Sequence, residues 1–343
     1  MIWHPFTWAF WVATAAGTLL YLLAALRAMD VTLNWSPTSS NADQLRREHH
    51  AEMASLLGRG AVICLEAATL IGLTGITLIW HRVVSGAMCG TGVMQAMGGN
   101  GFRAVIFWVA AILTLRSWRT LDRIDHVHPQ GVLTRNASRM MIVAAPFLIL
   151  SLFHAWQALM RVATIPTVSC CAAVYDQVVN DATPTASQWI VHLSLWGSLA
   201  GNLVLLILAM AVIRTQHARQ GVLMPAIAFI WAILSIVSIK QIWSAYYYQV
   251  LSHPCPWCLF LPDYYGVGFL IFGCLAAVVM ESITLGVSTR TRLRHPGLNA
   301  PATLLMNKSA WRIVIALIGF TLLTAGPAIC WRLRTGVWLH GSP

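Results

Sequence analysis

The sequence carries very little charge for its length, and acidic side chains are especially scarce. Only 10% of its 343 residues are charged and only 11 are Asp or Glu, whereas 58% are hydrophobic. A water-soluble domain of this size needs a polar surface that such a composition does not supply. The composition therefore excludes a soluble globular enzyme and indicates a membrane protein.

Two features that would point to other classes of protein are also missing. No basic segment precedes the first apolar run, which starts at Pro5, so no cleavable signal peptide is predicted. No patch that combines basic and aromatic residues lies outside the apolar segments, so the net charge of +11 does not predict a nucleic-acid partner. In a membrane protein, an excess of Lys and Arg instead marks the cytoplasmic loops.

Apolar segments of about 20 residues recur along the chain, and each is long enough to cross a hydrocarbon core of about 30 Å. Because lipid offers the backbone no hydrogen-bond partner, such segments must be helical. The sequence thus predicts an all-α, polytopic bundle of transmembrane helices. We place eight spans at 6–27, 60–81, 102–118, 139–160, 188–213, 223–247, 263–286 and 309–331.

The basic residues are distributed unevenly between the two sides of such a bundle. Of the 22 Lys and Arg, only six fall on the side that faces outer loops 82–101, 161–187 and 248–262. These six are Arg82, Arg103, Arg161, Lys240, Arg332 and Arg334. The positive-inside rule therefore predicts that both termini lie on the outer side. In a bacterium this is the periplasmic side of the inner (cytoplasmic) membrane.

Five of the eight cysteines fall in the predicted outer loops: Cys89, Cys170, Cys171, Cys255 and Cys258. The last two form a Cys-Pro-Trp-Cys motif whose thiols can close a disulfide and open it again, which suits thiol–disulfide exchange. The same spacing suits half of a metal site, and a static disulfide that pins the loop is a third interpretation.

The position of the motif favours a reactive pair of thiols. Pro256 restricts the turn, and the following Pro262 indicates that a helix begins nearby. Backbone N–H groups at a helix N-terminus stabilise a thiolate. Adjacent cysteines such as Cys170 and Cys171 rarely form a disulfide with each other, because the closed ring strains the peptide. One hypothesis pairs Cys89 with either of them in a resting disulfide, and lets the spare vicinal thiol attack Cys255.

A thiol pair at the membrane surface needs an electron acceptor, and a quinone dissolved in the bilayer is the obvious one. Aromatic rings near the motif could hold the quinone head, and a basic side chain could stabilise a quinone oxygen or a thiolate. The candidates are Lys240, Trp243, Tyr247, His253, Trp257 and Tyr264. The competing interpretation is an interfacial belt of aromatic residues beside a snorkelling lysine.

Spans 4 to 7 resemble the four-helix core of the vitamin K epoxide reductase family. The order is a span, a loop with Cys170 and Cys171, two spans, and then a Cys-x-x-Cys that opens the next span. The segment Cys255-Pro-Trp-Cys-Leu-Phe260 is also similar to that of DsbB-type quinone reductases. The resemblance implies that Cys258 faces the quinone, Cys255 exchanges, and Cys170 or Cys171 shuttles electrons from a periplasmic thioredoxin-like partner.

This resemblance divides the chain into three parts. Residues 1–138 hold three N-terminal transmembrane helices with an inner polar loop at 29–59, and residues 139–286 form the redox core. Residues 287–343 hold a basic inner loop and the last helix. The expected function is a thiol:quinone oxidoreductase.

Three other classes of function stay open at this point. Sulfur-rich outer loops with His253 suit Cu(I) or zinc, so a copper- or zinc-binding membrane protein would use the same residues. His81, His154 and His192 lie in or near spans, and two facing histidines could hold a b-type haem in a membrane subunit of an electron-transfer complex. Such a subunit could also be a quinone anchor that works with other membrane subunits. Glu66, inside the second span, is a candidate for ion or proton transport.

Overall fold

The computed structural model describes residues 3–36, 39, 41–127, 131–164, 168, 184–215, 218–249 and 255–339. These residues are helical almost throughout and include no strand, which confirms the all-α prediction. Within these described ranges, eight helices are long and apolar enough to cross a membrane. They are Pro5–Asn34, Ala42–Arg82, Gly90–Asp125, Thr134–Thr164, Trp189–Thr215, Gln220–Tyr248, Val267–Arg294 and Pro296–Thr335.

The α-helices, numbered in chain order, have the following bounds. They are α1 (Pro5–Asn34), α2 (Ala42–Thr74), α3 (Gly90–Asp125), α4 (Thr134–Thr164), α5 (Pro184–Thr215), α6 (Ala218–Ser238), α7 (Ser244–Tyr248), α8 (Val267–Arg294) and α9 (Asn299–Thr335). A π-helical turn at Gly75–Ile79 and a 3₁₀ turn at Trp80–Arg82 extend α2. A second π-helical turn, Ile239–Trp243, joins α6 to α7.

The seventh span begins later than the sequence predicts. Residues Pro262–Tyr264 form a 3₁₀ turn rather than the first turn of the α-helix. Tyr265 and Gly266 follow with φ angles of 57° and 61°, in the left-handed region that an α-helix cannot contain. The helix α8 can therefore start only at Val267, and the cysteine motif lies in an irregular segment before it.

The structure forms two compact units, of which the first contains α1, α2, most of α3, and α4. Small residues let its helices approach closely: a Cβ added at Gly58 would lie 2.6 Å from the Trp118 ring. Tyr21 is fully buried, and its hydroxyl donates a hydrogen bond to the Met141 carbonyl. The packing is thus of the kind that holds transmembrane helices together without a hydrophobic driving force.

The second unit contains Gly86–Gly92, α5 to α8, and most of α9. Trp231 is 1% exposed, donates through Nε1 to the Ser198 carbonyl at 3.1 Å, and meets the Phe320 ring edge-on at 5.0 Å. Both the α3 start that follows Cys89 and the Cys-Pro-Trp-Cys segment belong to this unit. The functional division of the sequence at residues 138 and 286 stays a prediction.

Candidate functional site

The Cys-Pro-Trp-Cys motif folds into a short 3₁₀ helix, Pro256–Phe260. Pro256 takes the first helical position, where its missing N–H costs nothing and its fixed φ suits the turn. The Cys258 N–H then donates to the Cys255 carbonyl at 3.3 Å. Because side chains three residues apart eclipse each other in a 3₁₀ helix, the turn sets the two thiols face to face.

A third thiol comes from the segment between the second and third spans. Cys89 lies immediately before Gly90, the first residue of α3, and its carbonyl accepts a hydrogen bond from the Gly92 N–H at 3.1 Å. Its sulfur is 3.5 Å from the sulfur of Cys255. The sulfurs of Cys89, Cys255 and Cys258 all lie within 4.8 Å of one another. We call these three residues the thiol triad.

The thiol triad is buried, with exposed fractions of 3% for Cys89, 2% for Cys255 and 8% for Cys258. None of the three forms a disulfide with another described residue. A buried thiol that packs among apolar groups is ordinarily inert. Three of them in mutual contact, contributed by chain segments 166 residues apart, are not explained by simple packing.

Hydrogen bonds among the thiols separate their acidities. The Cys258 and Cys89 thiols donate to the sulfur of Cys255, and these bonds lower the pKa of Cys255. The Thr91 hydroxyl, 3.1 Å from the same sulfur, adds to this effect. The pKa of Cys258 is raised in return, because its proton is held between the sulfurs of Cys255 and Cys89. Cys255 is therefore the most acidic thiol of the cluster.

Aromatic side chains hold the motif in place. The Tyr248 hydroxyl donates to the Cys255 carbonyl at 2.6 Å, and its ring meets the Tyr264 ring edge-on at a centroid distance of 4.6 Å. The Trp257 ring lies so close to Gly90 that a Cβ there would come within 2.5 Å of it. Trp257 thus packs directly against the residue that follows Cys89.

Two of the predicted quinone-binding residues lie in this aromatic shell, and three lie in or beside the second π-helical turn. Trp257 and Tyr264 flank the thiol triad, and burial raises the pKa of Tyr264, with a further contribution from Cys258. Lys240 and the buried Trp243 belong to the π turn. The Tyr247 hydroxyl donates to the Leu323 carbonyl at 2.6 Å and so links α7 to α9.

Three further predicted site residues, Cys170, Cys171 and His253, lie outside the described residues. The hypothesis of a resting disulfide between Cys89 and Cys170 or Cys171 therefore stays a prediction. Within the described part of the chain, the neighbour of Cys89 is Cys255.

Two residues behind the haem and transport hypotheses, His154 and Glu66, are in ordinary surroundings. His154 stacks on Phe107 at 5.7 Å, and its Nδ1 lies 3.2 Å from the Asn100 side-chain oxygen, as expected of a packing histidine. Glu66 pairs with Arg119 at 3.1 Å on a partly exposed helix face. These contacts give the haem and transport hypotheses no added support.

Sequence reasoning did not identify Thr91 or Gly90 as parts of the site. Thr91 lies two residues from Cys89, but its hydroxyl matters only because the fold brings Cys255 beside it. A glycine next to a cysteine likewise gives no signal until the Trp257 ring is seen against it.

The chain matches no known protein family, no curated protein and no solved structure.

Proposed function

We propose that this protein is a thiol:quinone oxidoreductase of the bacterial inner membrane. It oxidises the dithiol of a periplasmic thioredoxin-like partner and passes the electrons through the thiol triad to a quinone in the bilayer. The observation that carries this proposal is the 3.5 Å separation between the sulfurs of Cys89 and Cys255 beside Cys258.

A third thiol in contact with a Cys-x-x-Cys pair is what distinguishes exchange from a static bond. A disulfide that only pins a loop needs two cysteines. With three, any one disulfide leaves a thiol positioned against it, so the bond can move from one pair to another. The triad therefore supports a relay more strongly than the Cys-x-x-Cys spacing alone does.

The exchange balances as follows. In the oxidised chain, Cys255 and Cys258 share a disulfide. The Cys89 thiolate attacks the sulfur of Cys255, a Cys89–Cys255 bond forms, the Cys255–Cys258 bond breaks, and Cys258 takes up the proton that Cys89 lost. Attack on Cys89 by the donor thiol then releases Cys255, whose stabilised thiolate is a good leaving group.

Reoxidation returns the electrons to the membrane. The donor dithiol becomes a disulfide and leaves all three thiols of the triad reduced. Cys255 and Cys258 then give two electrons and two protons to the quinone, which becomes a quinol, and their disulfide reforms. Trp257 and Tyr264 flank the pair, and with Lys240, Trp243, Tyr247 and His253 they are the proposed contacts of the quinone head.

Burial of the triad bears on how the partner reaches it. A thioredoxin-like protein cannot reach cysteines of which only 2–8% of the residue surface is exposed. We assign the contact with the partner to Cys170 and Cys171, which would carry electrons from the surface to Cys89. Cys89 thus becomes the inner member of the relay, between the shuttle cysteines and Cys255.

The test combines a disulfide map with a quinone assay on the purified protein. Mass spectrometry of alkylated, unreduced Cys258→Ser should show a trapped Cys89–Cys255 disulfide. Reduction of a soluble quinone by dithiothreitol should fall to background in Cys255→Ser and Cys258→Ser. It should persist in Cys330→Ser, which alters an exposed thiol in α9. Unchanged turnover in Cys255→Ser would overturn the proposal.

A further inference from the structure

The reduced thiol triad also has the geometry of a metal-ion site. Thiolate sulfurs bind a metal at about 2.3 Å, so three of them around one ion in a plane are about 4.0 Å apart. The triad has one sulfur pair at 3.5 Å and all pairs within 4.8 Å. Shifts of a few tenths of an ångström would seat an ion between them, without a change in the backbone path.

The donor set selects a class of metal. Among the residues that the structure describes, sulfur alone makes up this group, with no imidazole nitrogen or carboxylate oxygen in it. All-sulfur ligation favours soft ions, chiefly Cu(I) and Zn²⁺. Zinc in proteins is almost always four-coordinate and would require a fourth ligand here. Cu(I) accepts three-coordinate sulfur sites, and burial of the triad limits access of water to a fourth position.

The surroundings tolerate the negative charge that three sulfurs bring. The Thr91 hydroxyl, 3.1 Å from the sulfur of Cys255, can donate to a metal-bound thiolate. Cys89 directly precedes the first turn of α3, where backbone N–H groups favour negative charge. The Trp257 ring packs against Gly90 and holds the segment that carries Cys89 in place.

We propose that the reduced thiol triad binds one Cu(I) ion through the sulfurs of Cys89, Cys255 and Cys258. Binding displaces the thiol protons and changes no oxidation state. A sulfur that ligates the ion cannot at the same time join a disulfide, so the bound metal blocks exchange within the triad. The blocking role rests on the proposed oxidoreductase function, whereas the binding site does not.

The binding test uses reduced, anaerobic protein in a Cys170→Ser/Cys171→Ser background, which removes the other predicted outer-loop thiols. Titration with Cu(I) against a chromophoric Cu(I) chelator should give one ion retained per chain. Single Cys89→Ser, Cys255→Ser and Cys258→Ser changes should each abolish retention, and Cys330→Ser should leave it intact. X-ray absorption should report three sulfur neighbours and no nitrogen. Circular dichroism identifies any variant that fails to fold. For such a variant, the comparison is made instead with folded parent protein in which the thiols of the triad have been mildly alkylated.

Two results would overturn the inference: retention unchanged by loss of Cys89, or retention of Zn²⁺ in preference to Cu(I). The quinone assay, run on metal-free protein that retains Cys170 and Cys171, separates this inference from the proposed function. Quinone reduction without Cu(I) retention rejects the metal site alone. Retention of Cu(I) without quinone reduction in the metal-free protein rejects the oxidoreductase and the blocking role, and leaves the site standing. Inhibition of quinone reduction by one equivalent of Cu(I), reversed by the chelator, supports both.

Discussion

At the scale of single residues, the site depends on the hydrogen bonds that lower the pKa of Cys255. Its sulfur receives hydrogen bonds from two thiols and lies 3.1 Å from the Thr91 hydroxyl. A hydrogen bond to a charged group contributes about 1.5–3 kcal/mol. One pH unit of pKa corresponds to about 1.4 kcal/mol. A single hydroxyl is therefore enough to alter the acidity of Cys255 measurably.

We expect Thr91→Val to raise the pKa of Cys255 by about one pH unit, because the β-branched shape is kept and the hydroxyl is lost. Hydrogen bonding lowers the pKa in the folded protein, so the thiolate persists as the pH falls below the usual thiol pKa of about 8.5. In Thr91→Val it should be protonated at a higher pH. The measurement is the pH dependence of iodoacetamide modification at Cys255, followed by peptide mass spectrometry.

Thr91→Ser is the matched control, since it restores the hydroxyl and should keep the pH profile of the natural protein. An identical profile in Thr91→Val would show that the thiols alone hold the thiolate. It would also remove Thr91 from the site.

At this scale, some residues of the site can be predicted from the sequence and others cannot. Cys255 and Cys258 stand out because two cysteines share a short motif with a proline. Cys89 is recognisable as an outer cysteine, yet nothing in its own segment indicates that Cys255, 166 residues away, is its neighbour. Thr91 carries no signal at all, since threonine is common and its role depends on a contact made by tertiary folding.

At the scale of elements, the start of α3 packs closely against the 3₁₀ helix of the cysteine motif. Gly90 faces the Trp257 ring with no room for a side chain. Alanine is a better helix former than glycine, so local propensity alone would favour Ala at this position. Only the approach of the 3₁₀ turn requires a glycine here.

We expect Gly90→Ala to push Trp257 and Cys89 apart, because the new methyl would lie 2.5 Å from the ring. Misplacement of reacting atoms by about 1 Å can cost on the order of 100-fold in rate. The rate at which the Cys89–Cys255 disulfide forms in Cys258→Ser should therefore fall by about 10- to 100-fold. Gly99→Ala, just beyond the non-helical Gly98 in α3, is the control, since its added Cβ meets nothing within 4 Å. Equal rates in the two variants would contradict this account of the site.

A second close contact joins the 3₁₀ helix of the cysteine motif to α8. A Cβ at Gly268 in α8 would come within 2.9 Å of the Phe260 ring and 3.0 Å of the Leu259 carbonyl carbon. Gly268→Ala should destabilise the protein by about 1–3 kcal/mol, as overpacking of a core does. The midpoint of unfolding in sodium dodecyl sulfate would report the loss.

Gly273→Ala, one and a half turns further along α8, has open space at the added methyl and serves as the control. It should be neutral or slightly stabilising, because it replaces a helical glycine. A midpoint in Gly268→Ala equal to that of Gly273→Ala would mean that the turn moves aside freely.

The late start of α8 shows why helix boundaries near the site cannot be predicted from the sequence. The apolar pattern around Pro262 is continuous, and proline is common at a helix start. Two residues with positive φ, Tyr265 and Gly266, nevertheless break the path before Val267. Glycine permits that conformation without demanding it, and tyrosine gives no warning of it, so the break is a consequence of packing.

At the scale of the whole molecule, the eight spans are predictable because they rest on composition alone. Runs of about 20 apolar residues leave the backbone no alternative to helix in lipid. In an eight-span chain, the segment between spans 2 and 3 and the segment between spans 6 and 7 lie on the same side, since four spans separate them. That parity allows Cys89 to meet Cys255, and the structure brings them together.

Which side of the membrane the triad occupies is the remaining prediction at this scale. The positive-inside rule depends on Lys and Arg rather than on net charge. The concentration of basic residues in and beside one set of loops should therefore hold those loops in the cytoplasm. We expect alkaline phosphatase fused to the C-terminus to be active and green fluorescent protein fused there to be dark. Fluorescent protein inserted after Val127, between α3 and α4, should be bright and is the matched control. The reverse pattern would place the thiol triad in the reducing cytoplasm, where disulfides rarely persist, and would remove the basis for a periplasmic relay.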